Sequence, residues 1–200
     1  MNKYLNPVNY LNYFTKKIKA FIKIREEKNI NNINYLENKL NPIKNVDELL
    51  NFHFGTYSDS KHINKDMFEI LLKHFLGSSL NILETGSAAH GTKSSMLFAN
   101  YVTIFGGKFD TVDTNPQIKN FYSFLESSNV QFHTQDSTKF INNLKDNYIN
   151  SLDLIYLDSF DLDINNPGPS QDHGLNEFLL LNTKLKKGTL IVIDDTPISF

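Results

Sequence analysis

Residues 81–94 read NILETGSAAHGTKS, an apolar segment followed by a loop of small residues and then by helix-forming sequence. Glycines in such a loop let the main chain approach a ligand closely, and the first turn of the new helix presents unpaired N–H groups to it. A second apolar segment, residues 108–113, ends in Asp113, whose carboxylate can accept hydrogen bonds from both hydroxyls of a ribose. This pairing predicts a site for a nucleotide-like ligand.

The composition limits the kinds of partner. Two hundred residues, 40% of them apolar, suit one globular domain with a sizeable core and a smaller appendage. A net charge of −2 disfavours nucleic acid and favours a small substrate. The sequence contains no cysteine, which excludes disulfides, thiolate metal ligands and a cysteine nucleophile. Because no run of about 18 apolar residues marks a membrane span, we expect a cytoplasmic protein.

The first part of the chain has helical periodicity. Apolar residues recur at three- and four-residue intervals over residues 1–26, which predicts an amphipathic helix. We expect this helix to pack against the domain, or against a second subunit in a homo-oligomer. The alternative is that it lies on an anionic membrane surface. Residues 27–50 predict a linker with a short helix, and residues 65–75 a further helix. The predicted domains are therefore an N-terminal helical appendage over 1–75 and a cofactor-binding core over 76–200.

From residue 80 onward, strand and helix patterns alternate. Apolar residues on both faces of a segment are typical of strands that helices cover on each side. The pattern predicts an α/β fold, a doubly wound and mostly parallel sheet, with ligands bound beyond the carboxyl ends of its strands. The predicted strands cover residues 80–84, 108–113, 130–134, 152–158 and 189–194, and the predicted helices cover 92–101, 116–126, 138–145 and 174–185.

The glycine loop fits two phosphate-binding motifs poorly. The dinucleotide motif G-x-G-x-x-G requires a middle glycine where this chain has Ala88, so NAD is disfavoured. The phosphate-loop motif G-x-x-x-x-G-K-[ST] is nearly met, but Thr92 separates Gly91 from Lys93. One added residue at a helix start turns the lysine by about 100° away from the phosphates. Glu84 would also repel a polyanion.

S-adenosylmethionine removes that objection, because it has no phosphate and carries a sulfonium and an ammonium. Glu84 would attract these positive groups, and Asp113 would hold the ribose. The acid before the loop, the loop itself and the acid on the second strand together favour this cofactor.

Five stretches carry a resemblance to a known family: ETGSAAHGT (84–92), TVD (111–113), QDS (135–137), LDLIYLD (152–158) and GTLIVIDD (188–195). They are similar to class I S-adenosylmethionine-dependent methyltransferases over residues 80–200. More narrowly, they resemble the metal-dependent O-methyltransferase branch that includes macrocin O-methyltransferases and cephalosporin-biosynthesis-like proteins. The resemblance implies a Rossmann-like fold and methylation of a hydroxyl on a small molecule or sugar.

The resemblance also implies cofactor contacts. Glu84, Gly86 and Ser87 would line the methionine end, Asp113 would hold the ribose, and Asp136 with Ser137 would meet the adenine edge. For Asp136 the alternative is an N-cap of the following helix. The full implied set is Glu84, Gly86, Ser87, Ala88, Gly91, Thr92, Asp113, Asp136, Ser137 and Asp158.

Three acids end the last two predicted strands. Asp158 ends the fourth, and Asp194 and Asp195 end the fifth, so their carboxylates should converge and repel unless a cation joins them. Oxygen ligands suit Mg²⁺, which in the resembling branch holds a substrate hydroxyl beside the sulfonium. The alternative is that the two last acids favour a helix start at Thr196-Pro197.

Loop residues supply the candidate bases and coverings. His173 is the favoured general base because its ordinary pKa lies near neutrality, and Asp161 is the second candidate. Asp161 stands where relatives with a catechol-type site have a lysine, which argues against a catechol mechanism. We expect residues 166–170, NPGPS, to lie in a long loop that covers the substrate, with an exposed loop without function as the alternative. Residues 55–62, GTYSDSKH, resemble a segment that precedes the cofactor-binding fold in this branch, and we expect them to fold over the site.

Two other functions stay open on the sequence. One is a nucleotide phosphohydrolase that uses residues 86–94 as a distorted phosphate loop with Asp158 near Mg²⁺. The other is a non-catalytic methyltransferase-fold module that binds or assembles. The fold of the resembling family continues past the fifth strand with a helix and an antiparallel strand pair, whereas this sequence ends at Phe200, so we expect a truncated chain.

Overall fold

The computed structural model describes residues 36–88 and 90–194 of the chain. Contacts divide the chain into two compact units, Met1–Pro42 and Ile43–Phe200. In the first unit the described part forms a short π-helix, Leu36–Leu40. The amphipathic helix predicted over residues 1–26 lies outside the described residues. No helix in the described ranges is both long and apolar enough to cross a lipid bilayer.

The second unit is built around five parallel strands in the order β3-β2-β1-β4-β5. The strands are β1 Leu80–Thr85, β2 Gly107–Asp113, β3 Val130–Thr134, β4 Leu154–Leu157 and β5 Leu190–Ile193. The helices are α1 Val46–Thr56, α2 Lys65–His74, α3 Ser94–Phe105, α4 Pro116–Phe121, α5 Ser137–Asn143, α6 Asp146–Ile149 and α7 Gly168–Asn182. The prediction of a doubly wound parallel sheet is confirmed. The strand order reverses between β1 and β4, and in such sheets ligands bind at the carboxyl ends beside this reversal.

Aromatic packing joins a helix upstream of the sheet to the sheet itself. Phe68 of α2 packs against Phe98 of α3 and Tyr156 of β4, with ring centroids 5.8 and 5.4 Å apart. All three side chains are fully buried, so α2 contributes to the same core as the strands. The predicted domains, a helical appendage over 1–75 and a cofactor-binding core over 76–200, stay a prediction.

The largest difference from the predicted elements is the start of α7. The sequence predicts a loop over 159–173, whereas α7 begins at Gly168, with Pro167 at its N-cap and Pro169 in its first turn. Proline suits the first turn of a helix because its ring fixes φ and its missing N–H has no partner to lose there. The two prolines therefore start a helix, and His173 lies within that helix.

Gly86 marks a close crossing of two backbone segments at the carboxyl end of the sheet. Its φ of +80° lies in the left-handed region, and its N–H donates to the carbonyl of Val112 at 2.9 Å. Across the reversal point, the N–H of Asp158 donates to the carbonyl of Thr85 at 2.9 Å. A Cβ on Gly86 would lie 1.9 Å from the carbonyl oxygen of Asp158, so no side chain fits there.

We predict that Gly86→Ala destabilises the protein by more than about 2 kcal/mol, because the added Cβ meets rigid backbone and the left-handed φ disfavours alanine. The matched control is Gly55→Ala in α1, where an added Cβ meets nothing within 4 Å. Alanine there should stabilise by about 0.5–1 kcal/mol through helix propensity. Urea unfolding followed by circular dichroism measures both changes. Equal stabilities for the two variants would contradict the close approach of the Gly86 and Asp158 backbones.

Candidate functional site

A cavity of about 500 Å³ opens at the carboxyl ends of β1, β2 and β4. We call it the central cavity. Its size lies within the range of about 300–1,000 Å³ that is typical of small-ligand sites. It brings together many of the residues predicted for the cofactor and the metal. The lining residues are His62, Asn64, Gly86, Ser87, Ala88, His90, Gly91, Thr92, Asp113, Ile118, Asp158, Ser159, Asp161 and Asp194.

Asp113 stands at the rim of this cavity where β2 ends. One carboxylate oxygen, Oδ2, accepts from the N–H of Ser87 at 3.0 Å, and the other, Oδ1, accepts from the N–H of Asn115 at 2.6 Å. These two bonds fix the carboxylate beside the glycine loop. Ile118 lies in the wall of the same cavity and adds an apolar surface. An anchored acceptor next to an apolar wall suits a ligand with a sugar and a flat ring.

The carbonyl groups of the glycine loop are held from outside. The hydroxyl of buried Tyr122 donates to Ala88 at 2.5 Å, and Ser58 Oγ donates to Gly91 at 3.0 Å. His53 Nε2 donates to the carbonyl of Thr92 at 2.7 Å. Burial lowers the pKa of His53 to about 4, so the imidazole is neutral at physiological pH. These bonds tie Ala88, Gly91 and Thr92 to neighbouring parts of the protein.

Residues 55–62 lie at the central cavity, because Ser58 bonds the glycine loop and His62 lines the wall. The polar side chains of Ser58 and His62 supply these contacts.

Glu84 does not line the central cavity. Its side chain is fully buried, and its carboxylate accepts three hydroxyl hydrogen bonds, from Ser94 Oγ at 2.6 Å, Ser95 Oγ at 2.5 Å and Thr111 Oγ1 at 2.6 Å. Burial raises the pKa of Glu84 to about 7. The structure thus places Glu84 beneath the first turn of α3, where hydroxyl donors satisfy it. Its contact with the methionine end of a ligand stays a prediction.

Asp136 and Ser137 are also absent from the lining of the central cavity. Asp136 is the N-cap of α5, where Oδ1 accepts from the N–H of Lys139 at 3.0 Å and from Thr138 Oγ1 at 2.6 Å. These bonds lower its pKa. The alternative of an N-cap is what the structure shows for Asp136, and the contact of both residues with an adenine stays a prediction.

The charge of the central cavity is negative. Among the described residues, no lysine or arginine lines it, whereas four aspartates do: Asp113, Asp158, Asp161 and Asp194. Lys93 precedes α3 in a left-handed conformation with φ of 50° and is not part of the lining. Carboxylates in a cavity wall repel phosphates and attract cations. The cavity therefore disfavours the phosphate-loop interpretation of residues 86–94.

A second cavity of about 370 Å³ adjoins the first and shares Asp158, Ser159 and Asp194 with it. We call it the lateral cavity. It lies between α7 and the ends of β4 and β5, and His173 lines it. Asp161, the other predicted base, lines the central cavity instead. Most of the wall is apolar, formed by Leu157, Phe160, Leu175, Phe178 and Ile193.

Glu177 in the wall of the lateral cavity is a site residue that sequence reasoning missed. Its side chain is 1% exposed, and its carboxylate accepts from Ser159 Oγ at 2.7 Å and from Thr85 Oγ1 at 3.1 Å. Its Oε1 also lies 3.5 Å from Nε2 of His173. The signal was present, because a spacing of four residues places His173 and Glu177 on one helix face. The predicted loop over 159–173 hid it.

The described residues do not complete a metal site. Asp158 and Asp194 share both cavities, and Asp194 Oδ2 accepts from Asn64 Nδ2 at 2.9 Å and from the hydroxyl of Tyr156. Within the described ranges no three His, Cys, Asp or Glu side chains are grouped as metal ligands would be. Asp195, the third predicted ligand, lies outside those ranges.

The strand order defines a Rossmann-like α/β fold, with a cavity at the point where the strand order reverses. No protein-family model and no curated protein matches the chain. Among solved structures it is similar to the MycE methyltransferase of the mycinamycin biosynthetic pathway, solved in complex with Mg, SAH and mycinamycin VI. The TM-score is 0.53 with 16% sequence identity, over 74% of this chain and 38% of MycE.

Two structures of MtNAS, a point mutant with S-adenosylmethionine and a complex with MTA and tNA, match with TM-scores of 0.43 and 0.41. Each is 14% identical and covers 88% of this chain, with 58% and 57% of their own lengths matched. The chain spans 38% of the length of MycE, and the similarity to MycE concerns the fold. This chain has the fold of a class I S-adenosylmethionine-dependent methyltransferase.

We predict that Glu84→Gln changes how stability depends on pH. Glu84 has a pKa of about 7 in the folded protein against an ordinary value of 4.5, so between these values the folded state binds more protons than the unfolded state. The contribution of Glu84 is therefore present below pH 4.5 and is lost as the pH rises to 7, a loss of about 3 kcal/mol. The stability of Glu84→Gln relative to wild type should rise by that amount over this interval.

Urea unfolding at several pH values between 4.5 and 8 measures this difference. Using the difference removes the opposite contribution of His53, whose lowered pKa makes stability fall as the pH drops from 6.5 towards 4. Glu69→Gln is the control, because Glu69 is an exposed partner of Lys73. If the stabilities of wild type and Glu84→Gln depend on pH in the same way, the raised pKa of the buried Glu84 carboxyl group is contradicted.

Proposed function

We propose that this chain is an S-adenosylmethionine-dependent methyltransferase that methylates a hydroxyl group of a small molecule. The observation that carries the proposal is the central cavity, which combines a glycine loop, an anchored acid at the end of β2 and a wall without lysine or arginine among the described residues. S-adenosylmethionine carries a sulfonium and an ammonium and no phosphate. Its charge therefore matches this cavity, whereas that of ATP or NAD does not.

The residues of the central cavity fit the parts of this cofactor. Asp113 would accept from the ribose hydroxyls, Ile118 would contact the adenine, and residues 86–92 would surround the methionine end. Gly86 supports the fit, because its missing side chain lets the loop lie directly against the backbone of Asp158 in the wall of the cavity. When bound, the cofactor supplies an electrophilic methyl group.

The lateral cavity would hold the acceptor. It opens beside the central cavity at Asp158, Ser159 and Asp194, so a molecule in it would approach a ligand in the central cavity. Its mostly apolar wall favours an acceptor with an apolar body that carries the hydroxyl. His173, which lines this cavity, would accept the hydroxyl proton, and Asp161 on the other side of the junction is the second candidate.

A divalent cation is a further part of the proposal. Asp158 and Asp194 would supply two ligands and Asp195 a third, while the MycE structure contains Mg. The described residues provide only two of these three carboxylates. The roles proposed above for Asp113, Ile118 and His173 are therefore argued without a metal.

We predict that S-adenosylhomocysteine, the product form of the cofactor, raises the melting temperature by about 5 °C or more at 100 times its Kd. ATP with Mg²⁺ at the same concentration should leave it unchanged, because four carboxylates face the phosphates. Thermal unfolding with each ligand measures the shifts. Stabilisation by ATP–Mg²⁺ but not by S-adenosylhomocysteine would contradict the methyltransferase proposal and favour a nucleotide phosphohydrolase.

We predict that Asp113→Asn weakens binding of S-adenosylhomocysteine about 10- to 100-fold, because a hydrogen bond to a charged group contributes about 1.5–3 kcal/mol. Isothermal titration calorimetry measures the Kd. Asp66→Asn, in the first turn of α2 and outside the lining of the central cavity, is the control for the loss of one negative charge. Equal affinities for the two variants would remove Asp113 from the ribose site.

A further inference from the structure

A chain of side chains connects His173 to the buried carboxylate of Glu177. Nε2 of His173 lies 3.0 Å from Ser137 Oγ, Ser137 Oγ donates to Ser159 Oγ at 3.4 Å, and Ser159 Oγ donates to Glu177 Oε1 at 2.7 Å. The ring nitrogen also lies 3.5 Å directly from that same oxygen. Four residues on α5, the loop after β4 and α7 thus form one polar cluster beside the lateral cavity.

The end of this chain sets its direction. Both oxygens of Glu177 act as acceptors, Oε1 for Ser159 and Oε2 for Thr85. Because Ser159 gives its hydrogen to Glu177, its oxygen accepts from Ser137. Ser137 has then given away its own hydrogen and must accept from the ring of His173. A nitrogen that donates carries the proton, so His173 has its hydrogen on Nε2.

The other ring nitrogen, Nδ1, is then unprotonated and able to accept a proton. The side chain of His173 is 21% exposed and lines the lateral cavity, whereas that of Glu177 is 1% exposed. The ring is therefore held on its Nε2 side by buried groups and is open to a ligand. Phe160 packs beside it with ring centroids 5.5 Å apart, which limits its rotation.

We propose that Glu177 is a positioning residue that acts through Ser159 and Ser137 to hold His173 in the Nε2–H tautomer, so that Nδ1 takes the proton of the acceptor hydroxyl. This inference rests on the proposed methyltransferase function. In the step, the acceptor oxygen forms a bond to the methyl carbon, the carbon–sulfur bond breaks with its electron pair left on sulfur, and the hydroxyl proton moves to Nδ1. The resulting imidazolium lies close to the carboxylate of Glu177, which stabilises it.

A purely structural role for Glu177 makes a different prediction. Its Oε2 accepts from Thr85 of β1, which ties α7 to the sheet. Thr85→Val removes this tie and leaves the bonds from Ser159 in place. Ser159→Ala interrupts the chain to His173 and leaves the tie in place. The two variants therefore separate the positioning of His173 from the attachment of the helix.

The test is nitrogen-15 NMR of the six histidine rings, with the resonance of His173 assigned by its loss in His173→Gln. In the free wild-type protein at about pH 8, His173 should be in the Nε2–H form. Glu177→Gln and Ser159→Ala should both raise the share of the Nδ1–H form at least severalfold. Thr85→Val and the exposed control Glu69→Gln should leave the tautomer unchanged.

An Nδ1–H tautomer in the wild-type protein overturns the inference, as does a tautomer that neither Glu177→Gln nor Ser159→Ala changes. A tautomer shift in Thr85→Val as large as in Ser159→Ala assigns Glu177 to the structural role. Binding of S-adenosylhomocysteine to the wild-type protein is measured separately. If S-adenosylhomocysteine does not bind but the tautomer changes as expected, the proposed function and the catalytic use of Nδ1 are overturned. The positioning of His173 by Glu177 then still holds.

Discussion

A buried carboxyl group, that of Glu84, joins the first turn of α3 to the ends of two strands. Its oxygens accept from Ser94 and Ser95 of α3 and from Thr111 of β2, so three hydroxyl groups replace the water that burial removes. A buried carboxyl group without such donors would cost several kcal/mol, on the order of 2–7 kcal/mol even for a neutral polar group. The beginning and end of the glycine loop are thereby fixed relative to each other, and the shape of the central cavity depends on this.

The charge of the cavity follows from the sheet topology. Parallel strands end at one edge, so Asp113 after β2, Asp158 after β4 and Asp194 after β5 meet around the same space. Among the described residues, no lysine or arginine lines this space. A glycine loop alone is compatible with several nucleotides, whereas under the proposed function the acids would favour a ligand that carries positive charge. The proposed cofactor therefore depends on the electrostatics of the cavity more than on the glycine spacing.

The predictable parts of this fold are those that depend on local patterns. All five strands lie within two residues of their predicted bounds. The strands β1 and β4 are almost entirely buried and rich in apolar residues, whereas β2 and β3 alternate between buried and more exposed residues. The predicted start of α7 is wrong by six residues. Pro167 and Pro169 suggested a loop, but proline is also common at the beginning of a helix. That error placed His173 in a loop and concealed its helical neighbour Glu177.

The sequence by itself determined the parallel sheet, the position of the glycine loop and the acids that follow the strands, since each depends on residues close together along the chain. Only the tertiary structure decided where the side chains point. It turned Glu84 under a helix, used Asp136 as an N-cap, and joined His173 to Ser137 across 36 positions. Such contacts depend on how α5 and α7 pack on the sheet. From the sequence alone, the hydroxyl and carboxyl groups could form hydrogen bonds in several different pairings, and the packing of the helices determines which pairing forms.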